Sequence, residues 1–427
     1  MGARSFEKDL QYYKFCLYGF FKNLRLFEPF IILIFLDSGL SFLQIGVLYS
    51  VREIGRNILE IPAGIIADTL GRRKTMIASF VFYIISFIVF FIAGTFPVFI
   101  AAMALYALGD AFRTGTHKAM IFTWLHIRGW EDQKVHYYGH TRSCSQLGSA
   151  VSALVAGILV FFTESYRMIF LFSALPYLMD LILISTYPAA LEGVQEPSGK
   201  RRIREGFREV IRDFLTTFRS RSVLRAVSNL SVYTGYYRAL RDYLQPVLVT
   251  VALSMPLLAG LDERQRSSVL IGVVYFVIYL LTSWSSRNAG RFTDRFAAIT
   301  TPLNVTLLTG LLAGALCGIL YMGDLAWAAA LIFIAIYVVE NLRKPIGISF
   351  VSERIGGNIL ASALSAESQA HSLIAAILAP LLGYIADATG IGIALLVVSG
   401  ALLLFSPLIF ARKGDLFRTP GEKNRIQ

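Results

Sequence analysis

The sequence predicts an all-α membrane protein with twelve transmembrane helices in two pseudo-symmetric six-helix halves. Three observations carry that prediction. The 427 residues are 56% hydrophobic and only 16% charged, against about 45–50% and about 25% in soluble domains. Apolar stretches recur at lengths of about 20 residues, which is what a helix needs to cross a hydrocarbon core of about 30 Å. Residue patterns in the first half of the chain return in the second.

The apolar segments fall, in order, at roughly 14–36, 43–67, 75–95, 97–124, 142–163, 165–187, 224–253, 267–289, 299–322, 325–350, 359–386 and 389–411. Met76–Ala93 and Ile391–Phe410 contain no charge at all, whereas the first, second, fourth, seventh and tenth segments carry several. These runs are too long for membrane β-strands, which need only about 9–11 alternating residues. Glu28-Pro29 in the first span and Gln245-Pro246 in the seventh sit at matching places, where proline frees a backbone carbonyl and permits a kink, although proline is also common in membrane helices. No A-x-A-like cleavage site follows the first apolar run, so it is read as a retained span.

Cys16, Cys144 and Cys317 lie within or at the ends of spans and form no disulfide framework. Asn229-Leu-Ser and Asn304-Val-Thr match a glycosylation pattern but lie inside spans, so no glycan is expected there. His136 and His140 share a cytoplasmic loop with Glu131 and Asp132, but a third strong ligand is missing and no metal is expected.

Charge sets the orientation. Twelve spans put both termini on one side, and that side holds Arg4, Lys8, Arg72-Arg73-Lys74, Arg128, Lys134, Arg291, Arg295, Arg354 and the basic tail. The opposite loops are short and mostly acidic or neutral, with Asp37, Glu164, Asp324 and Asp387; Arg264 and Arg266 are offset there by Asp262 and Glu263. The positive-inside rule therefore predicts cytoplasmic termini in a cell membrane. The net charge of +12 is then expected to meet anionic lipid at the cytoplasmic face. It does not signal nucleic-acid binding, and a monomer is expected.

The longest hydrophilic stretch, 188–222, separates an N-terminal half, 1–187, from a C-terminal half, 223–427. Within it Phe207, Val210, Ile211, Phe214 and Phe218 are spaced for an amphipathic helix at the inner leaflet. Ile45-Gly46-Val47-x-Tyr49 recurs as Ile271-Gly272-Val273-x-Tyr275, and Gly64-x3-Asp68 recurs at the same shift as Gly290-x3-Asp294. Lys22-x2-Arg25, Asp110-x2-Arg113 and Ser145-Gln146-x2-Ser149 are echoed by Arg238-x2-Arg241, Glu340-x2-Arg343 and Ser368-Gln369-x2-Ser372. Six spans separate equivalent positions, so the halves share one orientation, a plan on which transporters bind substrate near midplane.

Gly64-Ile-Ile-Ala-Asp68-Thr-Leu-Gly71-Arg72-Arg73-Lys74 resembles the loop motif between spans two and three of the major facilitator superfamily. Gly290 to Arg295 resembles its weaker copy, and with the span count and half-repeat the resemblance covers essentially the whole chain. It implies that Gly64, Asp68, Gly71, Arg72, Arg73, Gly290 and Asp294 form a conformational latch, with Gly64 allowing close helix approach. It also implies that spans one, four, seven and ten line a central cavity. Arg113-Thr-Gly115 only partly resembles the family's intramembrane arginine motif, and span five lacks the Gly-Pro pair of drug/proton antiporters.

Ionisable groups at membrane depth are costly and face a cavity or each other. The predicted spans enclose Lys22, Arg25, Arg52, Arg56, Arg113, Lys118, Arg238, Arg241, Arg343 and Lys344, against Glu28, Glu53, Glu60, Asp110, Asp180, Asp242, Glu340 and Glu367. Helical spacing puts Arg52, Arg56 and Glu60 on one face, and likewise Asp110, Arg113 and His117. Asp110–Arg113 and Glu340–Arg343 are spaced to close as ion pairs. Arg25, Arg113, Lys118, Arg241, Arg343 and Lys344 are candidates to bind an anionic group. Glu28, Asp110, His117, Glu340 and Glu367 are candidates to carry a proton. The function expected is a secondary active transporter for a small polar or anionic solute, working by alternating access and coupled to protons. The alternatives are a drug/proton antiporter and, from another class, a channel or transport-fold receptor. No phosphate-binding G-x4-G-K-[ST], HExxH or GxSxG is present, so neither ATP-driven transport nor an enzyme is expected, and no cofactor.

Overall fold

The computed structural model describes residues 8–193, 208, 221–352 and 357–412, and every regular element among them is helical. The expected amphipathic helix around 207–218 lies outside the described residues. Through the first half run α1 (Leu10–Asn23), α2 (Ile31–Asp37), α3 (Phe42–Leu70), α4 (Arg72–Ile92), α5 (Phe96–Arg113), α6 (Thr116–Ile127), α7 (Lys134–Thr163) and α8 (Met168–Ser185). After the central segment come α9 (Arg221–Leu240), α10 (Leu244–Ser254), α11 (Glu263–Arg287), α12 (Ala289–Thr293), α13 (Thr300–Met322), α14 (Ala326–Ser352), α15 (Gly357–Thr389) and α16 (Ile391–Phe405).

Among the described residues, nine stretches are long and apolar enough to cross a bilayer. The three other expected spans differ for visible reasons. The second is α3, a continuous helix of 29 residues whose apolar run is interrupted by Arg52, Glu53, Arg56 and Glu60. The first and seventh are each broken in mid-span, between α1 and α2 and between α9 and α10. Both breaks follow from proline. A proline in a helix takes the hydrogen-bond donor away from the carbonyl four residues earlier and crowds it. Pro29 does this to Arg25 and Pro246 to Asp242, so each span relaxes into a 3-10 turn there, Glu28–Phe30 and Arg241–Tyr243.

The fourth predicted span is also divided. Thr114 is extended and Gly115 has φ +78°, a backbone region that glycine enters without steric cost. His117 therefore starts a new helix, α6, and does not share one with Asp110 and Arg113. The single helical face expected for those three residues is corrected accordingly.

Contacts divide the chain into two units, the first Met1–Leu40, Val51–Arg204 and Ala252–Tyr279, the second Ser41–Ser50, Glu205–Val251 and Leu280–Gln427. Boundaries run through α3, α10 and α11. Within the first unit α4 packs on α5 and α8, and α1 on α7. Its core is aromatic: Phe90 stacks on Phe170 with ring centroids 4.7 Å apart, and Tyr177 meets Tyr83 and Phe87 edge to face, both at 5.0 Å. The start of α11 joins this unit through a close crossing with α7 at Gly157 and Gly272. Within the second unit α9 packs on α15, and α13 on α14 and α16. Large apolar side chains left exposed, such as Ile85, Ile88 and Ile92 on α4 and Leu175, Leu178 and Ile182 on α8, fit a hydrocarbon surround, which soluble monomers do not show at this extent.

Candidate functional site

In the first unit, the break after α1 sets the site. Lys22 lies in the last turn of α1, where the carbonyl end of a helix favours a cation. Arg25 follows in the break and pairs with Glu28 at 3.2 Å, and the Tyr279 hydroxyl reaches the other Glu28 oxygen at 3.5 Å. Arg113 ends α5 in the same manner as Lys22 ends α1. It closes the expected ion pair with Asp110 at 3.4 Å and donates to the Tyr83 hydroxyl at 3.2 Å, which itself donates to Asp110. His117 stacks on Tyr18 with ring centroids 3.6 Å apart, and its Nε2 lies 3.3 Å from the Tyr187 hydroxyl. On α3, Glu53 holds both Arg52, at 3.3 Å, and Arg56, at 3.1 Å, so the expected Arg52–Arg56–Glu60 face is organised by Glu53.

Lys118 does not join this cluster. It is exposed and its ammonium lies 5.5 Å and 5.7 Å from the ring centroids of Phe122 and Tyr138. The break at Gly115 is the reason, because α6 starts in a new direction.

In the second unit, Arg241 sits at the broken span and lies 3.4 Å from Asp242, which also accepts from the Tyr49 hydroxyl at 2.9 Å. The Tyr337 hydroxyl donates to the Arg241 carbonyl at 2.7 Å. Glu340 accepts from Thr234 at 3.1 Å, and Glu367 lies 3.2 Å from His371 Nδ1. The expected Glu340–Arg343 pair does not form among the described residues. Arg343 turns instead into the helix interface, only 1% exposed. It donates to the Leu303 carbonyl, to Thr306 Oγ1 at 3.0 Å, to the Asn229 carbonyl at 2.7 Å and to Asn229 Oδ1. Carbonyl and amide acceptors on α9 and α13 outcompete the carboxylate one turn away, so Arg343 locks helices and is not open to a solute. Lys344 is exposed. Asn229 and Asn304 are joined side chain to side chain at 3.2 Å.

Around the loop between α3 and α4, Gly71 has φ +97° at the N-cap of α4, which only glycine adopts easily. Gly71→Ala is expected to cost about 1–3 kcal/mol, readable as a lower thermal midpoint in detergent. Arg72 donates to Thr123 Oγ1 at 2.8 Å. Arg73 pairs with Glu192 at 3.1 Å and donates to the Tyr187 carbonyl at 3.0 Å. Asp68 is exposed and has no partner among the described residues. A Cβ added at Gly64 or at Gly290 would meet nothing within 4 Å among the described residues. Asp294 is exposed, just past α12.

Outside the spans, Glu131 is 2.7 Å from His126 rather than engaged with His136 or His140. That hydrogen bond, and then the charges of His126 and Lys134, hold its carboxyl below the usual carboxylate range.

The model of the Major Facilitator Superfamily matches residues 15–371. The chain belongs to the major facilitator superfamily. It is 32% identical over 108 residues to the uncharacterized MFS-type transporter YxaM of Bacillus subtilis (strain 168); that match covers 25% of this chain and only 26% of the relative's length. Crystal structures of similar fold include the nucleoside transporter NupG, with a TM-score of 0.72 and 15% identity over 94% of this chain and 96% of that one. A POT family transporter in complex with 5-aminolevulinic acid is also similar, with a TM-score of 0.69 and 15% identity over 93% and 96% of the two chains. At such identities these likenesses concern the fold alone.

The chain's membership of the major facilitator superfamily agrees with the nine described stretches long and apolar enough to cross a bilayer. Two features of its site carry no role in the sequence reading. Asp180 is the lone charge in the apolar α8, and that isolation was its available signal. The other is a pair of clasps at helix ends. Arg264 binds Asp37 at 2.6 Å and the Glu164 carbonyl at 2.6 Å within the first unit. Asp387 accepts from the amides of Phe42 and Leu43 at 2.9 and 2.8 Å within the second, capping α3. Neither clasp has a sequence signal, since the partners lie far apart in the chain.

Proposed function

We propose that this transporter moves a small polar or anionic solute by alternating access, coupled to protons, from a cell membrane in which both termini face the cytoplasm. One observation supports the anionic preference most. In each of the Arg–carboxylate pairs Arg25–Glu28, Arg52–Glu53, Arg56–Glu53, Arg113–Asp110 and Arg241–Asp242, the arginine is more exposed than the acid, for example 26% against 16% and 25% against 3%. In these pairs the arginine side chain offers more open surface than the carboxylate that holds its orientation. Such preoriented forks suit carboxylate or phosphate groups. The broken first and seventh spans support a binding role too, because transporters in general place substrate at interrupted helices near midplane.

The latch fits this reading. Arg72 and Arg73 are tied within the first unit, whereas Asp68 is exposed and available to a partner in another conformation. Two six-span halves, 1–187 and 223–427, joined by 188–222, are the bodies proposed to move. The cytoplasmic cations would hold that face to anionic lipid around a monomer.

The test is a thermal-shift screen of organic and inorganic anions on purified protein, followed by proteoliposome uptake of any hit under imposed pH and voltage gradients. Gradient-driven accumulation is expected, and Arg25→Gln should weaken binding roughly 10-fold or more, the loss of one charge-assisted hydrogen bond. Uptake that ignores both gradients would sink the coupling.

A further inference from the structure

In the first unit's buried cluster Glu28, Glu53 and Asp110 each hold an arginine, but Asp180 has no such partner among the described residues. Its residue is fully buried, and neither carboxylate oxygen accepts a hydrogen bond among the described residues. The hydroxyls of Tyr18, beside it, and of Tyr177, one helical turn before it, are buried and meet no hydrogen-bond partner at bonding distance and angle among the described residues. Three orphaned polar groups in one place of an otherwise aromatic core call for an explanation, since buried polar groups are nearly always hydrogen-bonded.

The groups facing Asp180 come from each element around α8. Lys22 and Tyr18 belong to α1, Arg113 to α5, and Tyr187 follows α8. Tyr83 on α4 packs on Tyr177 and is committed to Asp110. His117 on α6 stacks on Tyr18. No charged group of α7 is placed against Asp180 among the described residues. Lys22 is 4% exposed and makes no hydrogen bond or ion pair among the described residues. Arg113 is already held by Asp110 and Tyr83.

Charge arithmetic gives these orphans a meaning. Lys22, Arg25 and Arg113 supply three positive charges, and Glu28 and Asp110 two negative ones. With Asp180 ionised the cluster is neutral; with Asp180 protonated it carries one net positive charge, centred on the unpaired Lys22. An ionised carboxylate without hydrogen bonds is expensive to bury, whereas a carboxylic acid is far less so. We propose that Asp180 is a proton-binding site, and that taking up a proton there releases the charge of Lys22 for an anionic solute. This deepens the proton-coupled reading above and rests on it for its role in transport, but the proton site can be tested alone.

The probe is the proton itself. Infrared difference spectra of the protein in liposomes, taken between alkaline and acidic buffer, should show the C=O band of a protonated carboxyl in the wild type. Asp180→Asn should remove that band, and Asp110→Asn should retain it. Asp180→Glu, which keeps the acid should the amide fail to fold, should move the band in frequency. Lys22→Gln should shift the pH at which the band appears to higher values, because a neighbouring cation favours the carboxylate; a purely structural residue would leave that profile unmoved. A band that persists unchanged in Asp180→Asn overturns the proposal. Loss of the band together with gradient-independent uptake would leave Asp180 as the proton site and overturn the coupling instead.

Discussion

Replacing Arg343 by methionine is expected to destabilise the protein in detergent by about 2–3 kcal/mol, measured as a lower unfolding midpoint. The guanidinium ties α14 to α13 through the Leu303 carbonyl and Thr306, and to α9 through both the carbonyl and the side chain of Asn229. Interhelical hydrogen bonds in membrane proteins average about 0.6 kcal/mol each, so four give about 2–3 kcal/mol. The Tyr233 ring, 5.3 Å from the guanidinium carbon, adds a cation–π attraction of about 0.5–2 kcal/mol. Against this stands the cost of burying a cation with no carboxylate within 4.0 Å among the described residues, a cost that methionine would remove. The hydrogen bonds are expected to win, because only Nε of the guanidinium lacks a partner and methionine would abandon several buried acceptors. A variant as stable as the wild type would show that the charge costs as much as its network returns. Arg343→Lys separates the effects: it keeps the cation, but one ammonium cannot reach α9 and α13 together, so a similar loss is expected. Affinity for an anion, per folded molecule, should scarcely change in either variant, in contrast to Arg25→Gln.

Arg343 also shows where reading a sequence stops. Its spacing from Glu340 is that of an ion pair, and the same spacing does close at Asp110 and Arg113. What differs is the surroundings: Arg113 ends its helix beside the Tyr83 hydroxyl, while Arg343 faces the backbones of two neighbouring helices. Spacing along one helix cannot report which acceptors another helix supplies. Breaks are only partly legible: Pro29 and Pro246 act on the carbonyls four residues before them and both spans give way there, while Pro62, Pro176, Pro345 and Pro380 sit inside continuous helices. Gly115 is visible too, but a glycine in an apolar run says little until its φ is known, so spacing alone puts His117 on the helix of Asp110 and Arg113. Membrane character and superfamily could be read from composition, length and motif, because these depend on local chemistry. The clasps at Arg264 and Asp387 depend on residues hundreds of positions apart, and no local pattern encodes them.

Replacing Gly157 by leucine is expected to disfavour the described conformation by about 1–3 kcal/mol, the usual cost of overpacking, and so to lower its population by roughly 5- to 150-fold. A Cβ at Gly157 would lie 2.8 Å from the Ser268 carbonyl oxygen and 3.2 Å from the Gly272 Cα. Both are backbone atoms of α11, which cannot rotate aside as a side chain would. Gly272 faces the same crossing from the other helix, its Cβ position 3.2 Å from the Ala153 carbonyl oxygen. A larger residue at either position must push α7 and α11 apart. Alternating access, as proposed above, requires a crossing of this kind to open and close, so the variant should be biased rather than unfolded. Spin labels on α7 and α11 near this crossing should report a longer distance in Gly157→Leu, with the thermal midpoint nearly retained. The Arg264 clasp is expected to loosen in the same variant, since Arg264 lies two turns before Gly272 on α11 and holds Glu164 just past α7. Removing that clasp by Arg264→Gln should therefore lengthen the same distance by a smaller amount, and combining the two should add little, because the crossing is already open. An unchanged distance in Gly157→Leu with a large loss of stability would instead mean that the crossing is a fixed part of the core and does not move in transport.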